Sequence, residues 1–318
     1  MSKSARSGQA ASEVVARDVA ISRDLSLVDV VTISRQFLRS VRLDADYGRE
    51  DALSGYICQG TARALLGSMA KQITETNQRA FTWTGPYGGG KSSLALTLCS
   101  LVSPNAHLRG KARQVLDLQP EDLIASAFAT GPDGWLVVPV VGKRADIQAE
   151  LEAALQKATG AKTSRRKQAD VLRALVAEAE RHPNGVLVVI DELGKFLEAA
   201  AGGSGDIGFF QDLAETASRC KNKLVVVGIL HQAFDAYAGR LGREARDEWS
   251  KVQGRYVDIP LVAGADEVVE LVGRAIALSR PPDLTPALGD AEFVAASIRA
   301  RRPGTPETLG VSLAAWRN

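Results

Sequence analysis

The sequence predicts an α/β fold in which a parallel sheet is covered by helices on both faces. Three observations carry the prediction. Runs of strand length recur at residues 80–84, 135–141, 186–190 and 224–230. Segments with apolar residues at helical spacing separate them. Most of the runs are apolar at successive rather than alternate positions, as a strand buried on both faces must be.

Taken in order, residues 2–12 are small, polar and slightly basic, and 1–25 reads as a disordered tail without the apolar centre of a secretory signal. Residues 27–41 mix apolar and polar side chains at helix-like spacing. Residues 51–73 form a better helical stretch, with Leu53, Ile57, Leu65, Leu66 and Met69 as its inner face. The strand 80–84 runs straight into a glycine loop, and residues 91–101 follow as a helix rich in Ser, Leu and Ala. Residues 104–132 carry a short helical excursion. After the strand 135–141 come a helix over 147–158, a basic connection over 160–167, and a helix over 169–181. The strand 186–190 leads to a flexible turn at 202–205 and a helix over 209–219. The strand 224–230, a weaker strand over 256–261 and a helical stretch over 266–278 complete the pattern. Residues 281–318, edged by proline and glycine, read as an appended helical lid with a short helix at 291–300. The expected domains are the tail (1–25), an N-terminal helical extension (26–78), the α/β core (79–280) and the C-terminal segment (281–318).

Composition bounds the function classes. With 45% hydrophobic and 24% charged residues, the 318-residue chain reads as globular and long enough for one large or two modest domains. A formal charge of +2 offers no overall electrostatic case for nucleic acid or a membrane surface. No apolar run approaches the ~20 residues that span a bilayer. Cys58, Cys99 and Cys220 are too scattered for a disulfide framework, and with only three histidines no zinc site is visible. A reducing cytoplasm is the expected setting.

The strongest chemical signal is Gly85-Pro86-Tyr87-Gly88-Gly89-Gly90-Lys91-Ser92, which matches G-x-x-x-x-G-K-[ST] between a strand and a helix. Glycines let the backbone wrap closely and aim successive N–H groups at phosphate oxygens. The helix start adds its positive dipole end. Lys91 reaches the β- and γ-phosphates, Ser92 takes a Mg²⁺ position, and Ser93 stands by the α-phosphate. ATP, or another nucleoside triphosphate, with Mg²⁺ is the expected ligand.

About 100 residues after Lys91, the apolar run 186–190 ends in Asp191-Glu192. A carboxylate at a strand's carboxyl end can hold Mg²⁺, directly or through water. Glu192 beside it would polarise the attacking water as general base. The run 224–230 ends in His231 and Gln232, and ligands of parallel sheets lie beyond such ends. Either residue could sense the nucleotide, with His231 nearer the strand. Arg240, Arg243, Arg246 and Arg255 cluster later. Arg255 precedes the last strand and could reach a neighbouring subunit's γ-phosphate as an arginine finger. The competing reading is a solvated arginine paired with a nearby carboxylate.

This order of motifs resembles the additional-strand, catalytic-glutamate division of P-loop NTPases, and within it the AAA+ and STAND-type ATPases, over about residues 79–278. That resemblance implies a sheet of order 5-1-4-3-2 with the phosphate loop after the central strand. The phrases Thr82-Trp83-Thr84 with the phosphate loop, Asp191-Glu192-Leu193-Gly194-Lys195 and Leu230-His231-Gln232-Ala233-Phe234 are also similar to those of large bacterial ATPases from mobile or phage-defence gene clusters. In such proteins long further domains usually follow the ATPase portion. For a second-sensor arginine, Arg299 and Arg301 qualify by position alone.

The leading expectation is an ATP-hydrolysing motor or switch working as a homo-oligomer or with partner subunits. A slow nucleotide-gated interaction module is the alternative, since such switches can keep every catalytic part. A DNA translocase is a third, for which a partner or further domain would have to supply the nucleic-acid contact. A small-molecule kinase would share the loop but would not need Glu192 after Asp191.

Overall fold

The computed structural model describes residues 31–33, 40–160, 170–220, 223–232 and 249–278. The expected tail, the basic loop 164–167, Arg240, Arg243, Arg246 and everything expected beyond residue 280, Arg299 and Arg301 included, lie outside the described residues. The chain divides into two compact units, residues 40–263 and residues 1–39 with 264–318.

In the larger unit, helices α1 (Leu43–Asp46) and α2 (Gly60–Glu75) precede strand β2 (Ala80–Thr84). Helices α3 (Lys91–Leu101), α4 (Ala106–Val115) and α5 (Leu123–Ala127) then lead to β3 (Leu136–Val141). Helices α6 (Ile147–Thr159) and α7 (Val171–Arg181) precede β4 (Val186–Asp191). Helices α8 (Leu193–Ala201) and α9 (Gly208–Arg219) precede β5 (Leu224–Leu230), and β6 (Val257–Pro260) comes last. The five strands form one parallel sheet in the order β3-β4-β5-β2-β6. Numbered from β2 as the first core strand, this is the expected order 5-1-4-3-2.

Strand side chains alternate between faces, and two cores divide accordingly. Phe81, Trp83, Val137, Leu187, Val189, Val225, Val227 and Ile229 pack with Leu65, Leu66 and Met69 of α2 and Leu94 and Leu98 of α3. Val138, Val140, Val186, Val188, Ile190, Val226 and Leu230 pack with Leu151, Leu175, Phe196, Phe210 and Leu213 on the other side. The result is a three-layer sandwich whose central strands β2, β4 and β5 are buried throughout. The edge strand β6 alternates between half-buried and exposed residues, which explains its weaker signal.

The helix expected over 51–73 begins only at Gly60. Gly55 takes a left-handed φ of 79° and breaks the preceding stretch into turns, although Leu53 still reaches the core.

In the second unit, helix α10 (Ala265–Ala275) is followed by β7 (Ile276–Leu278), which pairs antiparallel with β1 (Val31–Ile33). This corrects two expectations. Residues 31–33 are strand rather than helix, in keeping with their β-branched Val-Thr-Ile sequence. The helical stretch expected to run to residue 278 stops three residues short, where pairing with β1 takes over.

Candidate functional site

Parallel strands place all their carboxyl ends at one edge of the sheet. Along that edge stand, in order, residues 142–144 after β3, Asp191-Glu192 at the end of β4, His231 after β5 and the loop from Gly85 after β2. Adjacent strands lie about 4.8 Å apart, so residues distant in sequence become neighbours here.

The loop is held tightly. A Cβ on Gly85 would lie 2.2 Å from the Leu261 carbonyl oxygen, so the position admits only glycine. Gly88 and Gly90 take left-handed φ values of 77°, and Gly90 caps α3. The first turn of α3 contains Lys91, Ser92 and Ser93 and no acidic residue, which leaves its positive end uncompensated. Behind the loop, the buried hydroxyls of Thr82 and Thr84 donate to Oδ1 and Oδ2 of Asp258 at 2.8 and 3.1 Å, tying β2 to β6 just before Gly85.

Lys91 is 4% exposed, and its Nζ donates to the carbonyls of Gly85 and Pro86, both at 2.7 Å. Burial lowers its pKa, against the opposing charge of Asp191. Asp191 is equally buried; its carboxylate accepts from the Glu192 N–H at 2.9 Å and has the Ser92 hydroxyl as a neighbour. Burial raises its pKa, partly offset by the nearby Ser92 hydroxyl and the Glu192 N–H. Ser92 and the β4 carboxylate are thus neighbours, a hard-oxygen pair beside a buried ammonium.

Glu192 sits in the left-handed region at φ 54° and ψ 39°, where a non-glycine residue stores about 1–3 kcal/mol. Its carboxylate pairs with Lys195 one turn along α8. The segment is pinned from β3: Gly142 N–H donates to the Asp191 carbonyl at 2.7 Å, and a Cβ on Gly142 would lie 2.1 Å from the Glu192 carbonyl oxygen.

A cavity of about 500 Å³ opens beside Glu192, lined by Tyr87, Lys143, Arg144, Lys195, Glu198 and His231 among others. His231 stacks on Tyr87 with ring centroids 3.7 Å apart and planes 20° from parallel. Burial, then the charge of Lys91, lowers its pKa, while Glu192 and Asp191 oppose the shift.

The structure therefore brings together the loop, Asp191, Glu192 and His231. It does not bring Arg255 to the loop of its own chain. Arg255 lies at the amino end of β6, the opposite edge of the sheet, and pairs with Glu215 at 3.1 Å. Sequence reasoning missed Lys143 and Arg144 as cavity residues, Lys195 as the partner of Glu192, and Asp258 as the brace. The first two follow directly on a buried strand, so the rule that ligands gather beyond strand ends would have found them. Among the described residues no group of three or more His, Cys, Asp or Glu side chains could hold a metal by itself. No described helix is long and apolar enough to cross a membrane.

No family model matches the sequence, and no curated protein does. Among solved structures, the chain is similar to the ADP form of the Aeropyrum pernix ORC2 protein, with a TM-score of 0.46 at 14% identity over 82% of this chain and 70% of that one. It is similar to the Aeropyrum pernix ORC1 protein in complex with DNA, with a TM-score of 0.43 at 15% identity over 90% and 70% of the two chains. For Cdc6p from Pyrobaculum aerophilum the TM-score is 0.43 at 11% identity, over 79% of this chain and only 56% of the Cdc6p chain.

Proposed function

We propose that this chain binds ATP with Mg²⁺ at Gly85–Ser92 and hydrolyses it. The observation that carries the reading is buried Lys91, bonded to the loop carbonyls, with Ser92 beside Asp191 and Glu192 next along. The loop amides and the start of α3 bind phosphate oxygens, and Lys91 trades its two loop carbonyls for the β- and γ-phosphates. A hydroxyl and a carboxylate suit Mg²⁺, which takes few protein ligands and completes its shell with phosphate and water. Bound there, Mg²⁺ would neutralise charge developing on the phosphate oxygens. Glu192 takes a proton from the water that attacks the γ-phosphorus, and the bond to the bridging oxygen breaks to leave ADP and inorganic phosphate. His231 lines the same cavity, which supports a role in sensing the γ-phosphate end.

The resemblance to large ATPases of defence and mobile gene clusters supports coupling of nucleotide state to oligomer assembly or a partner; a DNA translocase is the alternative, with a partner or further domain supplying the nucleic-acid contact. Arg255 would enter only by being offered to a second copy. Steady-state ATP hydrolysis across a protein-concentration series, with and without duplex DNA and beside Glu192→Gln, tests the reading. Turnover that vanishes in the variant supports it, and a rise in specific activity with concentration supports a shared site. Wild-type turnover in Glu192→Gln would remove Glu192 as the base.

One observation favours a second reading, a slow nucleotide-gated switch: the Glu192 carboxylate is engaged by Lys195. On that reading Lys195→Ala raises turnover by a few-fold, the ceiling for a half-exposed ion pair, whereas a fall would show that Lys195 supports the base.

A further inference from the structure

Tyr87 is the most exposed large hydrophobic side chain of the described residues, at 78%, and it stacks on His231. It sits in the phosphate loop between Pro86, whose ring fixes its own φ, and Gly88 in the left-handed region. The pairing of Thr84 with Leu230 sets the loop and His231 at the ends of adjacent strands. The Tyr87 ring therefore lies flat over an imidazole whose Nδ1 and Nε2 are both shielded from solvent and have no hydrogen-bond partner among the described residues. Shielded nitrogens of that kind are costly unless something pairs them, and they border the cavity that Glu192, Lys195, Lys143 and Arg144 share.

We propose that Tyr87 is a positioning residue for His231: carried by the phosphate loop, its ring holds the imidazole at the cavity wall, so that loop and β5 end act as one unit in turnover. The inference rests on the ATPase reading for its consequence and on the stack for its geometry. A stacked aromatic pair biases its partner's placement by about two- to ten-fold. Tyr87 binds no phosphate through its side chain, because the loop presents backbone amides and Lys91. The loss of its ring therefore falls on kcat rather than on KM.

Two measurements on the full chain test this separately. The first is the proton NMR spectrum of the imidazoles. Only His107, His182 and His231 contribute, and His231→Asn identifies the third. A ring 3.7 Å away shifts the His231 signals upfield; Tyr87→Ala should abolish the shift and Tyr87→Phe keep it. Unchanged His231 signals in Tyr87→Ala would overturn the proposal. The second is steady-state kinetics. Tyr87→Ala should lower kcat by about two- to ten-fold with KM within about two-fold, and Tyr87→Phe should restore most of the loss. Added to His231→Ala, Tyr87→Ala should cost nothing further. Full additivity of the two, or failure of phenylalanine to rescue, would overturn the coupling. If the wild-type chain turns over no ATP, the ATPase reading falls, and the positioning of His231 still stands or falls on the ring-current shift.

Discussion

Substituting Gly142 with alanine probes how Glu192, the proposed base, is held. Gly142 is not in the left-handed region, so its backbone conformation admits any residue, and the effect is purely steric. The added Cβ would stand 2.1 Å from the Glu192 carbonyl oxygen, 2.8 Å from its carbonyl carbon and 3.1 Å from the Asp191 carbonyl oxygen. These are backbone atoms, so no side-chain rotation relieves the clash. The end of β3 must separate from the Asp191–Glu192 segment by roughly 1 Å to reach ordinary contact. Overpacking of this kind costs about 1–3 kcal/mol, and stretching the 2.7 Å bond from Gly142 N–H to Asp191 adds about 1 kcal/mol. For a unit of this size each kcal/mol lowers Tm by about 2–4 °C, so a drop of roughly 4–16 °C is expected. A 1 Å displacement of Glu192 should also cost about 100-fold in turnover, while ATP binding at the loop persists. Thermal unfolding, nucleotide titration and steady-state hydrolysis read the three effects. Gly67→Ala on α2 is the control. Its Cβ meets nothing within 4 Å, and alanine in a helix interior should stabilise by about 1 kcal/mol. A Gly142→Ala protein with wild-type Tm and turnover would refute the view that β3 pins the Asp191–Glu192 segment.

The other predictions concern the site and the pH response. Lys91→Ala should weaken ATP binding at least about 100-fold, since it removes charge-assisted bonds to two phosphates; unchanged affinity by calorimetry would defeat the phosphate-loop assignment. Glu192→Gln should keep nucleotide affinity and lose about 10²–10⁴-fold in kcat. Asp191→Asn should lose Mg²⁺-dependent turnover yet leave Tm unchanged or higher, because burial raises the Asp191 pKa and its charge works against folding at neutral pH; a clear fall in Tm would contradict this. Burial pushes the Tyr47 hydroxyl up to about 12, against its hydrogen bond to Ser103. The folded state thus keeps that proton longer than the unfolded chain does. Its contribution is full below pH 10 and is lost as pH rises through 12, by at most about 2–3 kcal/mol. Urea midpoints at pH 9 and 11.5 should therefore fall less in Tyr47→Phe than in the wild type, and equal slopes would exclude Tyr47 as a contributor.

What could be read without the structure was whatever is encoded in contiguous residues. Gly85 to Ser92 is one unbroken segment, and the runs around Val188 and Val227 are buried on both faces, so their patterns need no knowledge of their neighbours. Asp191, Glu192 and His231 followed from standing where buried strands end. Lys195 and residues 143–144 follow such ends too, but their importance comes from a shared cavity wall, and a wall is a property of several elements at once. The start of α2 was misplaced because Gly55 interrupts a favourable apolar pattern, and backbone sterics won over periodicity.

By itself the sequence determined the glycine loop between a strand and a helix, the alternation of strands with helices and the acidic end of β4, because backbone conformation, hydrophobic period and chain-adjacent chemistry are local. The sheet order was an implication of resemblance; the insertion of β5 between β4 and β2 is written in packing between distant segments. Only the tertiary structure set Ser92 beside Asp191, laid Tyr87 on His231 and set Arg255 with Glu215 at the far edge. It also turned residues 276–278 from helix into the partner of β1. Each of these is a contact between segments whose separation in the chain carries no record of their distance in space, so folding alone decides it.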